Sequence, residues 1–295
     1  MNTIKTAILM MVMTLLLLLT GLLWTGDYIG VIIFFFIALA LNFFTFWSSD
    51  RLVLKMSKAR QVTPEEEPEL HRIVDEQVQL AGIPKPKVFT IDSDSPNAFA
   101  TGRSKKHASI AVTRGILRIL DRDELGGVLA HELAHVGNRD TLIMTMVAAI
   151  AMAIGIIAMI ARFSMFFGGF GGRGRGGHSA VVLVGLLVIA IVMPLVALIV
   201  RLAISRTREY QADKTGALTS GKPLALASAL EKLQRGTEAR PLDISKERLE
   251  PVSHLFIVNP LRGGGMNRLF STHPPVEERI RRLEGMEHQS LWSGR

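Results

Sequence analysis

Hydrophobic positions in this chain follow two kinds of pattern. Four runs are apolar almost without interruption, over about 6–24, 28–47, 142–161 and 180–200. Each is close to the roughly 20 residues that a bilayer core requires, so each predicts a membrane helix. Trp24, Tyr28 and Trp47 stand at run ends, where aromatic belts form. Only Thr25-Gly26-Asp27 parts the first run from the second, so the pair reads as an anchoring hairpin rather than a leader and a mature domain. The remaining segments are periodic. Leu70, Ile73, Val74, Val78 and Ala81 recur at helical spacing. Thr63, Pro64 and Glu66 read as the cap, first turn and capping-box partner of that helix, and Gly82 as its end. His71, beside the stripe, reads as a surface residue. Lys87–Ile91, Asn97–Gly102 and Ser109–Thr113 read as short strands, followed by a helical turn over Ile116–Leu120.

A second capping box, Asp121 with Glu124, opens a helix that carries Val128-Leu129-Ala130-His131-Glu132-Leu133-Ala134-His135. After the fourth run the chain reads as a helix through residues 205–213. A further helix spans Pro223–Gln234, with Gly236 after it. Then come a polar loop at Asp243–Arg248, a short apolar segment at Ser253–Asn259, a Gly263-Gly264-Gly265 break and a basic helix at Val276–Leu283. The expected organisation is α+β: a transmembrane hairpin (1–48), a first soluble part with a small sheet (49–140), a second hairpin (141–204) and a second soluble part (205–295).

Composition supports the membrane. Apolar residues make up 48% of the 295-residue chain. The absence of cysteine excludes disulfides and thiolate metal ligands. The net charge is +8. Nucleic acid is one explanation, but Arg51, Lys55, Lys58 and Arg60 directly follow an apolar run, which favours anionic lipid over any nucleic-acid partner. Lys5 precedes the first run and Asp27 alone separates the first two. The N-terminus and both soluble parts are therefore expected on the cytoplasmic side. Arg162, Arg173 and Arg175 fall in the outer loop, a departure from that rule. The Gly-, Phe- and Arg-rich stretch 166–177 reads as a flexible turn with no chemistry.

His131 and His135, four apart, share one helical face and can offer two imidazole nitrogens to one metal ion. Glu132 sits where its carboxylate can reach a water on that ion. A bare H-E-x-x-H also occurs in non-enzymes, so the rest of the chain must decide. Thr141 and Asn138 stand where one class of such sites has a third histidine and a glycine, which excludes that class. Asp140 reads as an interface residue or one lying behind the ligands. Glu209 alone would read as a solvated carboxylate among Arg206 and Arg208. However, His135 lies seven residues before Leu142 and Glu209 nine after Val200, so each sits roughly 10–14 Å outside the hydrocarbon on one side. That match favours Glu209 as third ligand. Asp213, four residues on, can accept the second N–H of a ligating histidine. A strand of the small sheet can pair with an extended peptide, and a purely structural sheet fits these runs as well.

His131-Glu132-Leu133-Ala134-His135, followed after an apolar hairpin by Glu209-Tyr210-Gln211-Ala212-Asp213, resembles the HtpX-type heat-shock membrane metalloproteases, relatives of the CAAX prenyl endoproteases. The likeness extends to Asn97-Ala98-Phe99-Ala100-Thr101-Gly102, to Ser271-Thr272-His273-Pro274-Pro275 and to the paired N-terminal runs. The resemblance implies a multi-pass protein of the bacterial inner membrane carrying a zincin-type (gluzincin) domain. It implies one zinc ion per subunit, on the cytoplasmic side, and membrane-protein or unfolded polypeptide substrates in quality control. It makes Asn97, Ala98, Phe99 and Ala100 the substrate-binding edge strand and places His273 near the site, as a transition-state or regulatory group. Glu132 is the expected catalytic base, on zinc held by His131, His135 and Glu209. A prenyl-protein endopeptidase and a non-enzymatic membrane scaffold with a chance motif are the alternatives.

Overall fold

The computed structural model describes residues 26–147, 206–240, 255–258 and 274–293, with part of the stretch 6–22. The third and fourth apolar runs, apart from residues 142–147, the Gly-rich stretch 166–177 and His273 lie outside the described residues. Helix α1 spans Tyr28–Met56, capped by the Asp27 side chain on the Gly30 N–H. Among the described residues it is the one helix long and apolar enough to cross a membrane. The described turns of 6–22 are helical, and Asn42 on α1 donates to Thr14 Oγ1 (2.9 Å). The first run therefore packs beside the second.

Strands β1 (Ala59–Gln61), β2 (Lys87–Ile91), β3 (Ala98–Gly102) and β4 (Ala108–Thr113) form one sheet in the order β1-β2-β4-β3. β2 and β4 are parallel, and the outer pairs are antiparallel. The strand alternation sorts side chains onto two faces. Val88, Ala98, Ala100, Ile110 and Val112 pack on the helices, while Ile91, Phe99 and Ala111 pack on Val53, Leu54 and Phe256. Both faces are covered, so these strands read as nearly continuous apolar runs.

Helix α2 (Pro68–Ala81) begins later than the sequence predicts. The Thr63–Glu66 box does form: the Thr63 N–H donates to Glu66 Oε2 (3.0 Å) and the Glu66 N–H to Thr63 Oγ1 (3.4 Å). It closes an isolated turn, because Pro68 disfavours the helical conformation at Glu67, which sits at φ −135°. His71 is buried rather than on the surface, its Nε2 3.0 Å from the Val62 carbonyl oxygen.

After α3 (Arg114–Ile119), helix α4 (Arg122–Gly137) has its full capping box. Ser228 and Lys232 also donate to Glu124 (2.6 and 2.7 Å), tying the start of α4 to α6 (Pro223–Ala239). α6 runs straight through Gly236, which sequence reading places after its end. That glycine serves close packing: a Cβ there would lie 2.5 Å from Pro96 Cγ. Helix α5 (Arg206–Ser220) crosses α4 at Gly216, where a Cβ would meet the His131 backbone nitrogen at 2.8 Å. The last element is α7 (Val276–Ser293). Leu125, Val128, Leu129, Leu133, Leu226, Leu230 and Leu233 fill the core between α4, α6 and the sheet. This core buries α4 from Glu124 to Val136.

Candidate metal centre

Three side chains from two helices converge. His131 and His135 project from α4, their rings 4.8 Å apart and nearly perpendicular. Glu209 comes from the first turn of α5, brought close by the glycine crossing. One ligand atom from each lies within 4.8 Å of the others, and all three residues are buried. His131 Nε2 is 3.8 Å from Glu209 Oε2, and His135 Nε2 is 3.5 Å from Oε1. These gaps exceed an ordinary hydrogen bond. They suit groups arranged around a shared cation, since ligands at roughly 2.0–2.1 Å from a tetrahedral ion stand slightly over 3 Å apart.

Each imidazole is steadied from behind. His131 Nδ1 lies 2.9 Å from Asp213 Oδ1, a short but bent contact. His135 Nδ1 lies 3.3 Å from Asp140 Oδ2, and Arg208 stands 3.4 Å from the other Asp140 oxygen. Such carboxylates fix which nitrogen stays free and make it a better donor. Asp213 is itself held by Arg279 of α7, which is wholly buried and donates through Nε (2.8 Å) and Nη2 (2.6 Å), with Nη1 on the Ile257 carbonyl (3.0 Å).

Charges follow from this packing. Burial would raise Asp213, but the charge and hydrogen bonds of Arg279, with His131, pull its carboxyl down to about 2. Burial lowers His131 against the pull of Asp213. Burial also opposes charge on His135, yet Asp140, Glu209 and Glu132 together raise it to about 9. Glu132 is lifted to about 8, chiefly by burial and further by Glu209, while His135 and the Ala100 N–H hold it down.

His131, His135 and Glu209 come together, and Glu132 and Asp213 lie beside them. β3 is an edge strand, as the order of the sheet shows. Its outer side is partly taken: the Ile257 N–H donates to the Ala98 oxygen (3.0 Å), Asn97 Nδ2 to the Val258 oxygen (2.8 Å) and the Gly102 N–H to Thr145 Oγ1 (3.4 Å). Phe99 packs edge-on against Phe256 at 5.1 Å. Sequence reasoning missed Arg279, treating its helix as merely basic. The available signal was one arginine falling on the inner face with Ile280 and Leu283.

A buried two-histidine, one-glutamate cluster with a second carboxylate beside it, on a domain that follows a helix long and apolar enough to cross a membrane, is the arrangement of a membrane-associated metalloprotease. Residues 64–287 match peptidase family M48, and the chain belongs to that family. It is 51% identical over 280 residues to a protease HtpX homolog of Pyrococcus furiosus, covering 95% of this chain and 94% of that one. It is 49% identical over 286 residues to the protease HtpX homolog of Persephonella marina, covering 97% and 98%. Its fold is similar to the crystal structure of S. mikatae Ste24p, with a TM-score of 0.51 and 20% identity. That match covers 96% of this chain but 65% of the other.

Proposed function

We propose that this chain is a zinc-dependent endopeptidase acting at the cytoplasmic face of the plasma membrane on membrane-protein or unfolded polypeptide segments, in quality control of damaged proteins. In this reading four membrane helices, in two hairpins, carry the two soluble parts, and both termini are cytoplasmic. The observation that carries it is the buried convergence of His131, His135 and Glu209 with Glu132 one residue along α4.

Bound there, zinc supplies a Lewis acid for the scissile carbonyl and lowers the pKa of a water towards about 7. Glu132 takes the proton from the attacking water and delivers it to the leaving amine. Asp213 and Asp140 orient the two imidazoles, and Arg279 keeps Asp213 ionised. An extended substrate segment would meet β3 at the Ala100 carbonyl, between the positions taken by Ile257 and Thr145, the Ala100 N–H being turned to Glu132. His273 is a candidate donor to the developing oxyanion, on its closeness in sequence to Arg279.

Glu132→Gln tests the reading. The variant should bind zinc as the parent does and lose roughly 10²–10⁴-fold in cleavage of a membrane-protein substrate. Undiminished cleavage would defeat the assignment.

A further inference from the structure

The polar end of α1 and the turn after β3 form one surface, and we propose that it binds the headgroups of anionic phospholipids, seating the end of the edge strand at the membrane plane. The proposal rests on α1 being a membrane helix. α1 changes character at a single level. From Tyr28 to Trp47 its large side chains are exposed, with Tyr28 at 74%, Phe36 at 62%, Phe43 at 64% and Trp47 at 47%. Beyond Ser49 its apolar residues Val53 and Leu54 are buried against the sheet. At helical rise, Tyr28 to Trp47 covers roughly 29 Å, the thickness of a hydrocarbon core. Trp47 is therefore the boundary residue.

Cations gather at that level from two elements. Arg51 and Lys55 follow Trp47 at four-residue spacing, on the same helical face. The Arg103 guanidinium lies over the Trp47 ring, 4.4 Å from its centre. Arg103 follows Gly102, whose φ of +135° turns the chain sharply at the end of β3, so tightly that a Cβ would lie 2.2 Å from the His107 oxygen. Ser104 Oγ, 2.9 Å from His107 Nδ1, closes the turn, which leaves Lys106 exposed and Lys105 half-buried.

Among the described residues these cations lack protein counterions. Among the described residues no carboxylate pairs with Arg51, Lys55, Lys105 or Lys106, and Asp50 is the only acid between Trp47 and Lys58. Several basic side chains elsewhere do meet an acid, among them Arg72, Lys85, Arg122, Lys222 and Lys232. Arg60, which the sequence groups with the lipid-facing cluster, pairs with Glu66 at 2.5 Å and drops out of it. The anions present at the depth of a boundary tryptophan are lipid phosphates. Each cation held there favours an anionic over a neutral headgroup by roughly fivefold. A turn fixed in this way holds the Gly102 end of β3 where a polypeptide leaving the bilayer arrives.

The chain has no cysteine, so Ser48→Cys, beside Trp47, gives a unique site for a fluorophore on the full protein in vesicles. Quenching by phosphatidylglycerol carrying a nitroxide headgroup is compared with quenching by the matching phosphatidylcholine. We expect a preference for phosphatidylglycerol of roughly fivefold or more, removed by high salt. Lys105→Glu/Lys106→Glu should bring the preference down towards parity, and Lys105→Gln/Lys106→Gln to an intermediate value, with bound zinc unchanged as the sign of intact folding. Equal quenching by the two lipids, or a full preference in the folded Glu variant, would overturn the proposal. Release of the chain by alkaline carbonate would overturn the membrane reading itself, a result separable from equal quenching in a chain that stays integral.

Discussion

Replacing Arg279 by methionine removes the guanidinium while keeping most of the stem's volume. In the folded protein Arg279 makes two hydrogen bonds to Asp213, at 2.8 and 2.6 Å, and one to the Ile257 carbonyl at 3.0 Å. It is 0% exposed, and Asp213 is 3% exposed. Deleting it strands a buried carboxylate whose main remaining support is His131. Breaking a buried pair from one side costs about 3–5 kcal/mol. At roughly 2–4 °C per kcal/mol, the unfolding temperature should fall by about 6–20 °C. A second effect is separate. Asp213 no longer sits firmly against His131 Nδ1, so zinc affinity should fall roughly 10–100-fold. Two assays read these effects independently: thermal unfolding of the detergent-solubilised chain, and zinc competition against a chelator of known affinity. Asp213→Asn combined with Arg279→Met sharpens the test. The double variant has no stranded charge, so it should regain about 2 kcal/mol of the lost stability. It should not regain zinc affinity, because His131 still lacks its carboxylate. An Arg279→Met protein with unchanged unfolding temperature and unchanged zinc affinity would refute the reasoning.

Gly216→Ala places a methyl 2.8 Å from the His131 backbone nitrogen and should push α5 off α4, costing about 1–3 kcal/mol. Because α5 carries Glu209, zinc binding should weaken with stability, whereas Gly137→Ala, with open space around it, should leave zinc binding alone; equal affinities would contradict the crossing. The carboxyl of Asp213 is depressed from 3.8 to about 2. Its contribution, about 2 kcal/mol, is therefore present above pH ~4 and lost as pH falls through ~2. Acid unfolding of the parent should show this loss, and Asp213→Asn should not. Glu132→Gln should cut cleavage roughly 10²–10⁴-fold with zinc retained.

Local chemistry made much of the fold legible. The Asp121–Glu124 box, the Gly82 stop and the strand at Lys87–Ile91 lie where propensity and pattern put them. Where reading failed, a neighbour outweighed a local signal. Pro68 cut the Thr63–Glu66 box off from its helix, and Pro96 used Gly236 for packing instead of termination. β1 was missed because its three residues, Ala59–Gln61, sit inside a basic stretch and have no pattern of their own. In the site, His131, Glu132 and His135 were legible because one helical turn sets their spacing. Glu209 could be placed only by assuming that the third and fourth apolar runs form a hairpin. Arg279 was hidden, since its partner stands 66 positions away and a buried arginine looks like a surface one in sequence.

The central claim is that His131, His135 and Glu209 hold one metal ion on which Glu132 acts. Metal analysis of the purified full chain beside its single variants tests it most directly. The account predicts one zinc per chain in the parent and in Glu132→Gln, with zinc lost from His131→Ala, His135→Ala and Glu209→Ala. Peptidase activity in a metal-free parent, or zinc retained in all three ligand variants, would contradict it.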